Sequence, residues 1–316
     1  MNTSGKYLYL EIMRILACFF VIFNHTGNNG FFLFSQRSWG SVQFWLYMFA
    51  SIFCKFSVPL FFAISGVLLL SQPDESMKKL WFRRIGRIAM SLFVFSFIYY
   101  IVEVYTGNQE WDIPNFFIQL YENNWNFSYW YLYAYLQMLI TLPFLRTLSQ
   151  NLKNQYFYYL FVLFFFFNGV LPILQFLLWE DKHYLNGNLK LGWLTANIVF
   201  YPLMGYFLQN RVHHIEKKGK LILIMWSVNI LTIVVCCVMT YLKAKYVGEC
   251  VESKSQAFHN SFSMVNTACI FLTTKYLVAK YEKKFSKWFK MAIFSMGGYI
   301  WNLFMACNGA SVSGVS

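Results

Sequence analysis

The sequence predicts an all-α protein, a polytopic transmembrane bundle of about nine spans with its N-terminus in the cytoplasm. Three observations carry that reading. The 316 residues are 58% hydrophobic and only 12% charged, about half the charge of an ordinary soluble domain. The apolar residues gather in nine runs of membrane-spanning length. The Lys and Arg residues divide unevenly between alternate connections, as the positive-inside rule requires. The alternating polar and apolar pattern of an outer-membrane barrel is absent.

The nine runs are 7–25, 42–70, 86–105, 129–145, 156–179, 191–209, 221–242, 258–279 and 289–307. The second is the longest and carries Lys55 and Pro59, so it is expected to kink or to begin as an interfacial helix. The connections after the even-numbered runs hold seventeen Lys and Arg residues, among them Arg83, Arg84, Arg87, Arg146 and Arg211. Those after the odd-numbered runs hold six. That asymmetry puts the even connections and the N-terminus inside. Lys6 is the only positive residue before the first run and no small-residue cleavage site follows it, so no cleavable signal is expected. No internal repeat or low-complexity linker interrupts the chain, and residues 1–316 read as one membrane-embedded domain.

Composition excludes several classes of function. The net charge of +13 lies in alternate loops rather than on a basic and aromatic surface, so nucleic acid is not an expected partner. The seven cysteines have no CxxC spacing, and His213–His214 has no further ligand at useful spacing. Neither a metal site nor a disulfide framework is signalled. With no soluble catalytic domain, any chemistry has to use the spans and short loops.

Candidate chemistry begins in the first run, YLYLEIMRILACFFVIFNH, which contains Glu11, Arg14 and His25. An arginine at the centre of a span costs about 2.5–3.5 kcal/mol on insertion scales, so it requires a partner, a cavity or a reaction. Arg14 and His25 are eleven residues apart, which places both on one helix face about 16–17 Å apart along the axis. Histidine suits proton transfer near neutral pH, and arginine suits a phosphate, a thioester oxygen or a developing oxyanion. The alternative is that Glu11 neutralises Arg14 three residues away while His25 caps the outer end.

Four further groups invite two readings each. Arg84 and Arg87 face together if the third span has begun, and either hold a phosphate-bearing ligand or are ordinary positive-inside charge. Ser65 and Gly66 break a bulky run, which makes a helix-packing notch or, less simply, places a hydroxyl at a site. Lys55 either lines a cavity or snorkels to a polar neighbour. Trp130 and Tyr131, in SYWYLYAYLQM, form an interfacial aromatic belt or a platform for a sugar ring.

These residues together resemble the acyltransferase type 3 membrane proteins, which include O-acetyltransferases of bacterial surface glycans. Arg14 and His25 match the family's arginine, ten residues, then histidine. Arg84-Ile85-Gly86-Arg87 is similar to its Arg-x-x-Arg loop, and Val58-Pro59-Leu60-Phe61-Phe62 with Ser65-Gly66 to its VPLFF…SG segment. Trp130-Tyr131-Leu132 with Pro143 resembles its WYL…P span, and all occur in the family's order. Ser295 to Asn302 is similar to a Ser-x-Gly-x-Tyr-x-x-His stretch, with Asn302 at the histidine position. The family has ten spans, so one is expected to be missing here.

The resemblance implies an O-acyltransferase of the bacterial cytoplasmic membrane. It would move an acyl group, usually acetyl, from cytoplasmic acyl-CoA to a hydroxyl of a cell-envelope polysaccharide or lipid-linked glycan. His25 would act as base or relay, Arg14 would orient the donor or stabilise charge, and Arg84 and Arg87 would hold the coenzyme A phosphates. Glu11, Lys55, Ser65, Trp130, Tyr131 and Asn302 are cavity or acceptor candidates. Acyl-CoA enters as a substrate, so no resident cofactor or metal is expected. Membrane lipid and glycan-assembly proteins are the other expected partners. The alternatives are a glycan transporter or flippase, for which the expected inverted repeats are not seen, and an inactive truncated relative.

Overall fold

The computed structural model describes residues 4–122, 125–126, 129–189, 191–248 and 258–296. These residues are helical throughout, with no strand among them. Helix α1 is Ser4–Asn24. Helices α2 (Val42–Phe53) and α3 (Ser57–Leu69) follow, joined by the 3₁₀ turn Cys54–Phe56. The expected break in the second run therefore falls at Lys55, within that turn. Pro59 sits in the first turn of α3, where its missing N–H breaks no helical hydrogen bond.

The third run is entered through a π-turn, Leu80–Ile85, before α4 (Gly86–Tyr105). A short helix α5 (Ile113–Glu122) precedes α6 (Trp130–Ile140) and α7 (Leu142–Asn151), which divide the fourth run at Thr141. Pro143 opens α7, as proline does at a helix start. The fifth run is α8 (Asn154–Phe164) and α9 (Leu171–Trp179), joined through the π-turn Phe165–Val170. Helices α10 (Asn197–Asn210), α11 (Gly219–Val247) and α12 (Ser263–Tyr281) complete the bundle, followed by a helical stretch over 287–296.

Among the described residues four helical runs are long and apolar enough to cross a membrane: Val42–Leu69, Met77–Tyr105, Asn154–Trp179 and Gly219–Val247. Helix α10 has only 14 residues, about 21 Å at 1.5 Å per residue, and the ninth run extends past the described residues. The all-helical membrane class is thus shown, with four spans among the described residues rather than the nine expected. Val42–Leu69 is 72% buried over its most apolar stretch, whereas the other three are 28–33% buried. The first is therefore central, and the others turn faces bearing Phe82, Val162, Leu223 and Leu231 outward. Such apolar outer faces suit acyl chains.

Helix α3 packs on α1, α10 and α12 and is buried on every side. Its tightest contact is with α10. A Cβ on Gly66 would lie 2.0 Å from the Pro202 carbonyl oxygen, and one on Gly205 would lie 2.1 Å from that of Ala63. The two backbones touch, which inside a membrane replaces hydrophobic driving force with close van der Waals packing. Lys275 of α12 then secures the end of α10. Its Nζ donates to the carbonyls of Leu208, Gln209 and Val212 at 2.8, 3.1 and 3.3 Å, giving the helix C-terminus a cation.

A methyl group at either glycine has to drive two backbones apart. Gly66→Ala and Gly205→Ala are each expected to destabilise the bundle by about 1–3 kcal/mol, the range for overpacking. Denaturant unfolding in detergent checks this, with Gly192→Ala, which meets nothing within 4 Å, as the neutral control.

Candidate functional site

Arg14 projects from the first half of α1, and Glu11 one turn earlier accepts from its Nη1 at 2.5 Å. Both side chains are largely buried. The pairing weighed from spacing is present, yet Arg14 also comes within electrostatic reach of Tyr131 and Tyr135 on α6. Those two rings stack 6.0 Å apart, and Tyr131 packs on Phe62 at 5.3 Å. The aromatic run opening α6 thus turns Tyr131 inward, 2% exposed, and leaves Trp130 37% exposed.

Tyr135 carries the polar line onward. Its hydroxyl meets Ser65 on α3, and the Arg84 charge reaches it as well. Ser65 Oγ donates its proton to the Phe61 carbonyl at 2.9 Å. That bond ties the Ser65 hydroxyl to its own helix. Next to Gly66, Ser65 also sits where α3 and α10 approach most closely. Arg14, Tyr131, Tyr135, Ser65 and Arg84 therefore form one polar track through an apolar bundle.

At its open end Arg84 is half-buried, with Nε 2.7 Å from Glu75 Oε1. Arg146 Nη2 lies 3.1 Å from the same oxygen, and Arg146 Nε donates to the Leu69 carbonyl at 2.9 Å. Arg87 is exposed. Arg84 lies in the π-turn Leu80–Ile85 and Arg87 in α4, and the guanidinium that shares Glu75 with Arg84 is that of Arg146.

Two cavities open at this end and share Gln72 and Pro73. One of about 320 Å³ is lined by Glu75, Lys79, Arg84 and Arg146. The other, of about 570 Å³, is lined by Gln150, Tyr206, Asn210 and Arg211. The 70–76 loop between them is pinned to α7 by Gln150 Nε2, which donates to the Leu70 and Gln72 carbonyls at 3.1 and 3.4 Å.

His25 lies at the other end of α1, one residue beyond the helix, and is exposed. Asn24 fixes that end by donating to the Cys54 carbonyl and to Ser57 Oγ at 3.3 and 3.1 Å. This brings His25 under the charge of Lys55, whose ammonium lies 4.3 Å from the Phe31 ring centre. His25 and Lys55 form one group and Arg14, Ser65, Tyr131 and Arg84 another. Asn302 lies outside the described residues.

The sequence reading missed Glu75, Tyr135 and a buried pair in which His259 Nε2 lies 3.1 Å from Ser51 Oγ. It counted Arg146 only as loop charge. The signal for Arg146 was present: the buried residues of α7 are Leu142, Leu145, Arg146 and Ser149, the i, i+3, i+4, i+7 stripe of a core-facing helix. Among the described residues no group of His, Cys, Asp and Glu side chains could hold a metal ion.

Removing Arg146 leaves Glu75 buried with half its compensation. Arg146→Ala is expected to cost about 3 kcal/mol, the lower range for breaking a buried ion pair. Arg87→Ala, at an exposed position, should stay within about 0.5 kcal/mol. Parallel unfolding curves of the two variants test the asymmetry, and equal effects would contradict the placement of both arginines.

A family model described as an acyltransferase domain matches residues 7–306. Comparison with curated proteins and with solved structures gives no match. The family match spans the apolar helices, the polar track and the basic end alike. The chain therefore belongs to the acyltransferase type 3 family and is an integral-membrane acyltransferase.

Proposed function

We propose that this acyltransferase takes an acyl group, acetyl in the simplest case, from cytoplasmic acyl-CoA and esterifies a hydroxyl of a cell-envelope glycan or its lipid-linked precursor. In this reading the protein lies in the bacterial cytoplasmic membrane with about nine spans, an inner N-terminus and neighbours that assemble the glycan. The even-numbered connections then face the cytoplasm, so the Arg84 end of the track lies where acyl-CoA is available.

The observation that carries the reading is the polar track itself. Tyr135, hydrogen-bonded to Ser65, lies within electrostatic reach of both Arg14 and Arg84 inside an apolar bundle, and Arg84 lines a cavity with Lys79 and Arg146. Arginines suit the phosphates of a coenzyme A donor, and the buried end suits its less polar arm. Arg84 holds the phosphates with help from the exposed Arg87, and Arg14 orients the thioester arm.

The reacting end is the His25 end. His25 takes the proton of the acceptor hydroxyl as that oxygen attacks the thioester carbonyl. The C–S bond breaks, the ester C–O bond forms, and the proton passes from His25 to the departing thiolate. Lys55, whose charge reaches His25, is the cation on hand for the developing oxyanion. Ten residues of helix lie between Arg14 and His25, eleven steps or about 16–17 Å. The donor arm must therefore extend along α1 before His25 can act. Trp130 and Tyr131 are the aromatic faces at the start of α6, with Trp130 accessible to a sugar ring.

Ester content of the surface glycan, read by mass spectrometry in cells with matched amounts of each protein, tests this. The parent chain should acylate the glycan and His25→Ala should lose at least about 100-fold, the scale of a general base. Equal acylation by both would remove His25 from the mechanism. No acylation by either, with both folded in the membrane, would overturn the substrate reading.

A further inference from the structure

We propose that Arg84 and Arg146 form a two-guanidinium phosphate site that Glu75 occupies in the ligand-free chain, and that a phosphate of the donor enters by displacing this carboxylate. The proposal rests on the acyl-CoA reading above. It adds Arg146 as a donor-binding residue and Glu75 as an internal competitor.

The geometry gives three reasons. First, both guanidinium groups converge on one atom, Glu75 Oε1, at 2.7 and 3.1 Å. A carboxylate held there by two arginines marks a position where an oxyanion is stabilised, and phosphate oxygens satisfy the same donors. Second, Arg146 is independently fixed. Its side chain is 3% exposed, and its Nε is bound to the Leu69 carbonyl at the end of α3. That bond persists if Glu75 leaves, so the site keeps its shape. Third, Glu75 is held by one oxygen. Its Oε2 is buried and takes no hydrogen bond from any described residue. A buried carboxylate satisfied on one side is poorly compensated.

The surroundings allow the exchange. Glu75 lines the 320 Å³ cavity together with Asp74, Ser76, Lys79, Arg84 and Arg146. With Glu75 in place the three-residue cluster carries one net positive charge, and with Glu75 displaced it carries two. The loop can swing Glu75 outward without losing its pins, because these lie at Leu70 and Gln72, with a further bond from Asn210 Nδ2 to Ser71 Oγ at 3.0 Å. Ser76 ends the movable stretch, since its hydroxyl caps the single turn Met77–Lys79. The second cavity, beyond Gln72 and Pro73, offers Arg211 and the polar side chains of Gln150 and Asn210 to the rest of a nucleotide.

A plug lowers apparent affinity by the fraction of molecules in which it is open. Removing its charge therefore tightens binding, whereas a purely structural staple gives no such gain. The test is equilibrium binding of coenzyme A, and separately of pantetheine, to the purified full chain in detergent. Glu75→Gln should bind coenzyme A about tenfold tighter than the parent, corresponding to a plug open in about a tenth of molecules. Pantetheine, which lacks the phosphates, should show no difference. Arg146→Lys, which keeps the charge but loses the fork, should weaken coenzyme A binding. Inorganic pyrophosphate should compete more effectively, and raise the melting temperature more, in Glu75→Gln than in the parent.

Coenzyme A binding to Glu75→Gln that is equal to the parent or weaker overturns the plug and leaves the donor reading intact. Absence of coenzyme A binding to both folded proteins overturns the donor reading and the plug with it. If Glu75→Gln does not fold, Glu75→Asp replaces it. Its shorter side chain cannot reach both guanidinium groups, so the same tightening is expected and its absence has the same meaning.

Discussion

The contact on which this structure depends is the backbone-to-backbone seam between α3 and α10. Gly66 lies against Pro202 and Gly205 against Ala63, with no room for a methyl group at either glycine. In a bilayer, apolar side chains gain little by leaving lipid for protein, so close packing has to supply the attraction. Two glycines on facing helices supply it at the centre of the bundle. Everything chemically distinctive then hangs on α3. Ser65 neighbours the seam, Phe61 and Phe62 pack on Tyr131, and the carbonyl of Leu69 holds Arg146.

The buried charges follow a second constraint, which is that each needs compensation inside a poorly polarisable interior. Arg14 has Glu11, Arg84 and Arg146 share Glu75, Lys275 has three carbonyls at and just beyond the end of α10, and Lys55 lies on the face of Phe31. These solutions differ in what they leave over. Lys275 closes a helix end. The Glu75 cluster keeps a net positive charge beside open cavities, and Arg14 lies within electrostatic reach of two tyrosines. Surplus charge next to space is what separates a binding region from a structural staple.

The separation of His25 from the arginine track shapes the chemistry proposed here. A single pocket with base and cation side by side would need only one substrate approach. In the reading proposed above, the donor enters at the Arg84 end and its arm extends along α1 toward His25, where the acceptor meets it. Asn24 and the turn at Lys55 fix the His25 end of α1.

The sequence by itself determined the helical class, the membrane setting, the family and the residues worth watching. Low charge, apolar runs and unpaired-looking polar residues inside them are local properties and need no partner to be read. Glu11 beside Arg14 and the break at Lys55 were legible for the same reason, since both partners lie within a few residues. The helix that carries Arg146 also showed its buried stripe. What only the tertiary structure decided was which distant charges meet. Glu75, near Arg84 in the chain, also meets Arg146 across 71 residues, and Tyr135 reaches Ser65. The physical reason is that helix periodicity fixes which face a side chain occupies, whereas its partner depends on how neighbouring helices pack.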